Sequence, residues 1–286
     1  MRKTFTVLVV IITIFSSCKK DKKLSRNLPF LKSEQSLLIN KKGKTIKTRF
    51  SVPKNYKRLA TKPNTFANYL QNFTLKPANT KVRFYNGELK RNQKIHAGIL
   101  DISVGNRDLQ QCADATMRLR AEFLYAQKRF DKIHFNFTNG FNVAYSKWRQ
   151  GYRLKVKGNK VSWYKTSKKS TSYKSFTDYM QWIFMYAGTL SLNKEMKSIP
   201  ISKMQIGDVF IQGGSPGHAI IVVDMAKNIQ NEKIFMLAQS YMPAQDIHVL
   251  KNLNKRSISP WYKAKNLTIL QSPEWEFSNM DLKRFD

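Results

Sequence analysis

Cysteine is nearly missing from this chain: there are two in 286 residues, Cys18 and Cys112. A small fold stapled by several disulfides is thereby excluded. Histidine is also scarce, with four, and neither His96 nor His134 has another Cys or His at ligand spacing, which argues against a zinc site. No Walker loop or dinucleotide glycine fingerprint occurs, so no cofactor is expected. An Asp246-His248 pair with Ser240 or Tyr241 as nucleophile lacks the G-x-S-x-G turn that exposes such a serine. No uncharged apolar run reaches the ~20 residues that span a bilayer as a helix. Acidic side chains are the last shortage: 18 Asp and Glu face 51 Lys and Arg, giving a net charge of +33.

That excess has two readings. It draws polyanions such as nucleic acid, anionic lipid, lipopolysaccharide or the carboxylates of peptidoglycan, or it is only a lysine-rich, well-solvated surface. The basic residues are scattered and form no arginine-aromatic stripe, so nucleic acid is not expected as a partner. Hydrophobic residues at 42% and aromatics at 12% describe a chain that buries a core. The roughly 240 residues from 45 to 286 are enough for one α+β domain.

The start of the chain has its own pattern. Met1-Arg2-Lys3 is a basic n-region, Thr4 to Phe15 is an uncharged run rich in Val and Ile, and Ser16-Ser17 precede Cys18. About a dozen apolar residues make an h-region and not a transmembrane helix. The small-small-Cys ending resembles the lipobox of bacterial lipoproteins. That resemblance implies a signal peptide over 1–17, lipid on Cys18 and a mature chain fixed to a membrane of the cell envelope; the alternative is an ordinary signal peptide with a chance cysteine. Residues 18 to 44, opening Cys-Lys-Lys-Asp-Lys-Lys, read as a flexible basic tether. With Cys18 lipidated, Cys112 is the sole remaining thiol.

Further along, the spacing predicts a helix over 65–73 and strands over 81–85 and 97–104 about Asn86-Gly87. A long helix is expected over about 108–128 with Asn106 or Asp108 as N-cap, its stripe being Leu109, Cys112, Thr116, Leu119 and Phe123. A hairpin is expected about Gly158-Asn159, and an aromatic helix over 173–186 closed by Gly188. Strands then fall at 208–212, 219–223 and 233–238. Helices early and strands late predict an antiparallel sheet packed against the cysteine-bearing helix.

Two places carry possible chemistry. In Gln110-Gln111-Cys112-Ala113-Asp114 the free thiol sits in the first turn of a helix, where backbone N–H groups and the helix dipole favour a thiolate; the alternative is a cysteine that simply fills the buried stripe. In Ile206-Gly207-Asp208-Val209-Phe210-Ile211 and the following Gly-rich turn to His218, the histidine opens a strand. A hairpin centred on residue 229 places Gln239 and Ser240 beside it, able to fix the imidazole tautomer and leave the other nitrogen as a general base.

The run GDVFI, a glycine-rich turn and GHAIIVV resembles the paired strands of papain-like bacterial amidases, the NlpC/P60 and CHAP groups. The resemblance implies Cys112 as nucleophile, His218 as base, Gln239 as orienter, and Gln111 or a helix N–H at the oxyanion. About a hundred residues separate Cys112 from His218, so a helix and a hairpin must be inserted relative to those compact domains. The strings QQCADATMRLRAEFLY, GDVFIQGGSPGHA and LAQSYMPAQDIHVLKN resemble an uncharacterised family of bacterial lipoproteins, which implies no reaction. The expectation is an envelope lipoprotein acting as a thiol amidase on cell-wall peptide, with peptidoglycan as the anionic partner. The alternative is a non-catalytic lipoprotein binding glycan, anionic lipid or a partner protein.

Overall fold

The computed structural model describes residues 38–286. The expected signal peptide, Cys18 and most of the expected tether lie outside the described residues. In chain order the helices are α1 (Ile46–Arg49), α2 (Phe66–Gln71), α3 (Cys112–Ala126), α4 (Tyr145–Arg149), α5 (Tyr173–Tyr186) and α6 (Thr189–Glu195). The strands are β1 (Lys57–Arg58), β2 (His96–Ile99), β3 (His134–Asn136), β4 (Asn142–Ala144), β5 (Tyr152–Lys157), β6 (Lys160–Lys165), β7 (Lys197–Ser198), β8 (Val209–Gln212), β9 (His218–Lys227), β10 (Lys233–Gln239), β11 (His248–Leu250), β12 (Tyr262–Lys263), β13 (Ile269–Gln271), β14 (Glu276–Ser278) and β15 (Leu282–Arg284).

One nine-stranded sheet organises the described residues, in the order β2-β11-β10-β9-β8-β15-β7, with β1 against β9 and β12 against β10. Its pairs are antiparallel, so the class is α+β. Strand β9 is its centre. Every residue from His218 to Ala226 is buried, so both faces are covered, which is why Ala219 to Val223 is a continuous apolar run and not an alternating one; the buried Asp224 that follows is paired with Arg58 at 2.8 Å. Each fully buried Ile, Val or Phe contributes ~1.5–3 kcal/mol. The turn to β10 works because Asn231 takes φ +60°, a left-handed conformation that Asn tolerates.

Helix α3 packs on β9 and β10. Its buried residues include Ala113, Ala115, Met117, Leu119, Ala121, Phe123 and Leu124, so it is apolar around most of its circumference, as a core helix must be. Phe123 meets Phe66 of α2 at 5.4 Å between ring centroids, and Tyr125 stacks on Phe176 of α5 at 4.4 Å. Aromatic pairs of this kind tie the helices into the same core as the sheet. Among the described residues no helix is long and apolar enough to cross a membrane.

Several sequence expectations shift. The tether reading to residue 44 runs too far: Leu38 is buried and Ile39 bridges to Phe50, because these few apolar residues find core to cover. The expected 81–85/97–104 pairing does not form; β2 pairs with β11, and Phe84 bridges to Gln245. Gly188 does not follow a free helix end but caps α6, a helix the sequence reading missed. The hairpin β5–β6 and helix α5 fall where expected.

Candidate functional site

Cys112 is the first residue of α3. The helix starts later than its expected N-cap because Asp108 is engaged elsewhere: its Oδ1 accepts from the Ala244 N–H at 2.7 Å and from Gln111 Nε2 at 3.0 Å. Gln111 is the N-cap, and Asp114 Oδ2 accepts from the Gln111 N–H at 3.0 Å. The cap thus closes the first turn around Cys112, whose own N–H is among those that an α-helix leaves without an internal acceptor.

The thiol is not activated in this state. Burial pushes the Cys112 pKa up to about 11, with Asp114 adding to the rise and the amides of Ala219, Ala113 and Cys112 itself opposing it. Desolvation of a thiolate outweighs the helix dipole here, contrary to the expectation from the first-turn position alone. Burial also lifts the Asp114 pKa well above the usual carboxylate range, with the amides of Gln111 and Asp114 itself opposing the rise. The Ala219 amide belongs to the residue after His218. Helix start and strand start therefore meet at the thiol.

His218 opens β9 and is 1% exposed. The sequence reading of an accessible strand-edge histidine is corrected: Tyr241, Trp275 and Phe277 wall the ring at 4.7, 5.3 and 5.9 Å between centroids. Its Nε2 lies 2.9 Å from Gln239 Oε1. The Gln239 Nε2 in turn donates to Glu274 Oε2 at 2.7 Å, and Lys90 Nζ reaches Glu274 Oε1 at 2.7 Å. A carboxylate only accepts, so the amide must present its oxygen to the imidazole. That places the ring proton on Nε2 and leaves the lone pair on Nδ1. Burial pulls the His218 pKa down to about 4, the Gln239 bond opposing and Lys90 adding to the drop. The imidazole is neutral at physiological pH.

The hairpin register differs from the one centred on 229. Lys233 pairs with Lys227 and Met236 with Asp224, then a shift brings Leu237 opposite Val222 and Ala238 opposite Ile221. Continuing that register puts Gln239 opposite Ile220, on the face that His218 shares as the next residue but one. Tyr241 comes beside His218, and Ser240 does not: its hydroxyl lies between the carbonyls of Gln110 and Gln245, at 3.1 and 2.8 Å, with one proton to share between them. Gln239 nonetheless reaches the imidazole diagonally.

Of the expected oxyanion donors, the Gln111 side chain is held by Asp108. Its neighbour Gln110 is freer: Oε1 accepts from Arg118 at 3.1 Å, while its buried Nε2 has no acceptor among the described residues. The Asp246-His248 pair does not form through side chains. His248 Nδ1 lies 2.8 Å from the Asp246 backbone oxygen, while the carboxylate holds Lys76 Nζ and the Arg83 N–H at 2.8 and 2.9 Å. Glu274, Lys90 and Trp275 were not legible as site residues. They come from segments remote from both motifs, and no local pattern marks them.

Residues 46–284 match the model of a family described as a domain of unknown function (4846). No curated protein and no solved structure matches the chain. The chain belongs to that family.

Proposed function

We propose that this member of the family is an exported lipoprotein, tethered through lipid on Cys18, that cleaves an amide bond of cell-wall peptide with Cys112 as nucleophile. The observation that carries the reading is the 2.9 Å contact between His218 Nε2 and Gln239 Oε1, made on a strand whose next amide, that of Ala219, acts on the Cys112 thiol. A histidine with its Nε2 proton anchored and its Nδ1 unprotonated is an imidazole in the tautomer that takes a proton at Nδ1. The order of elements, a cysteine at a helix start followed by a histidine strand and a polar residue on the next strand, resembles that of papain-like amidases and supports the reading.

In this mechanism Cys112 Sγ attacks the amide carbon while its proton passes to His218 Nδ1. The oxyanion is met by the Cys112 N–H and by a side-chain amide, for which Gln110 has the donor to spare and Gln111 must first leave Asp108. As the C–N bond breaks, His218 returns the proton to the leaving amine. Water, deprotonated by the same imidazole, then splits the thioester to a carboxylate and the free thiol. A thiol near pKa 11 and an imidazole near pKa 4 are a neutral pair at rest, so proton transfer accompanies attack and does not precede it. The surplus of basic side chains supports an anionic substrate, and stem-peptide carboxylates supply one.

A second reading, a non-catalytic envelope protein that binds, is favoured by the 1% exposure of His218. The test is incubation of the purified chain with peptidoglycan stem peptides, beside Cys112→Ala shown to be folded by circular dichroism. New amine and carboxylate termini from the wild type and none from the variant support the hydrolase. Identical behaviour of the two proteins supports the binder.

A further inference from the structure

Away from Cys112, a cavity of about 610 Å³ opens between the first described residues and β2. Lys41, Arg49, Lys81, His96 and Lys251 line it, and no carboxylate does among the described residues. General basicity does not produce this by itself: the cavity beside Arg120, Arg129 and Lys132 includes Glu195 and Asp286 in its wall. Arg49 is the clearest anomaly. It is 3% exposed, yet among the described residues its guanidinium donates to the neutral carbonyls of Gly43 and Lys76, at 2.6 and 3.3 Å, and to no carboxylate. A buried cation without a counter-charge is costly.

The neighbours repeat the pattern. Burial lowers the Lys251 pKa, and no ion pair holds that ammonium among the described residues. His96 Nε2 lies 3.2 Å from the Thr80 carbonyl, which fixes its proton there, while its buried Nδ1 has no partner among the described residues. The carboxylate acting on His96 is Asp246, and Asp246 is already bound to Lys76 and the Arg83 amide.

We propose that this cavity is a binding site for a phosphomonoester. A dianionic phosphate has oxygens on every side to meet the four cations Lys41, Arg49, Lys81 and Lys251, one of them a guanidinium. The volume exceeds that of the phosphate and leaves room for what it is attached to. The group comes on a small soluble molecule or on a lipid headgroup. The proposal is independent of the thiol chemistry.

The test is calorimetric titration of the full chain with inorganic phosphate and with glycerol phosphate. Wild type is compared with Lys81→Gln/Lys251→Gln and with Lys155→Gln/Lys157→Gln, an equal charge change on the exposed face of β5. Saturable binding that weakens about tenfold or more in the cavity variant and stays within about twofold in the control is expected. No saturable binding by the wild type, or equal losses in both variants, overturns the site. Vesicles containing phosphatidic acid separate the two sources. Binding that drops in the cavity variant alone and is competed by glycerol phosphate assigns a lipid headgroup. Glycerol phosphate binding that follows the variants while vesicle binding does not assigns a soluble ester.

Discussion

The imidazole of His218 hangs from the side chain of Gln239 by a 2.9 Å hydrogen bond, with Nε2 as donor. Replacing Gln239 by Leu leaves that N–H buried without an acceptor, and also strips Glu274 of a donor. A loss of ~1–3 kcal/mol in urea unfolding is expected, together with a fall of about a hundredfold or more in amide cleavage as the tautomer becomes unfixed. Stability loss with unchanged turnover would separate Gln239 from the chemistry.

Acid should weaken the fold through this same ring. The His218 pKa falls from 6.5 unfolded to about 4 folded, so below pH 6.5 the unfolded chain binds a proton that the folded chain refuses. Stability therefore drops as pH falls from about 6.5 to 4, by at most ~3 kcal/mol from this residue. Asp114 and Asp224, whose pKa values burial raises, act in the opposite sense. The difference between wild type and His218→Asn isolates the histidine: the variant's melting temperature should fall less steeply over that range, and parallel curves would contradict the burial argument.

Alkylation of Cys112 by iodoacetamide should be slow at neutral pH and rise tenfold per pH unit toward 11. A pKa of about 11 leaves ~1 thiolate in 10⁴ at pH 7. Trp275, half-buried over His218 with its Nε1 donating to Gln212 at 2.9 Å, is part of the wall that dries the site. Trp275→Ala should admit water, raise the His218 pKa toward 6.5 and speed alkylation. Fast labelling of the wild type at pH 7 would show the thiol to be exposed.

Asp114 caps α3 through its Oδ2, which accepts from the Gln111 N–H at 3.0 Å. Asp114→Asn keeps an oxygen for the Gln111 N–H and should cost under about 1 kcal/mol, whereas Asp114→Leu orphans that donor and should cost ~1–2 kcal/mol. Equal losses in urea titrations of the two variants would rule out the cap as the carboxyl's role.

What the sequence made legible was local. The uninterrupted apolar run after His218 announced a central strand, the Asn-rich turn announced its partner, and Cys112 in the first turn of a helix was readable from the stripe that follows it. The register was off by about one residue: the strands leave the turn paired about residue 230, and the shift between Met236 and Leu237, which leaves no mark in composition, makes up only half of the difference. Charge and exposure were misjudged at both Cys112 and His218. A helix start and a strand edge suggest access, but Trp275 and Phe277, arriving from the end of the chain, cover the ring. The same distance hid Glu274 and Lys90, which depend on tertiary assembly and not on spacing.

The central claim is that Cys112 carries the acyl group, and intact-mass measurement during turnover tests it most directly. Acid quenching within the first turnovers on a stem peptide should reveal chain carrying the acyl fragment, mapped to the Cys112 peptide and lost on treatment with hydroxylamine. Cleaved substrate beside chain that never gains mass, or an adduct on any other residue, would contradict the account.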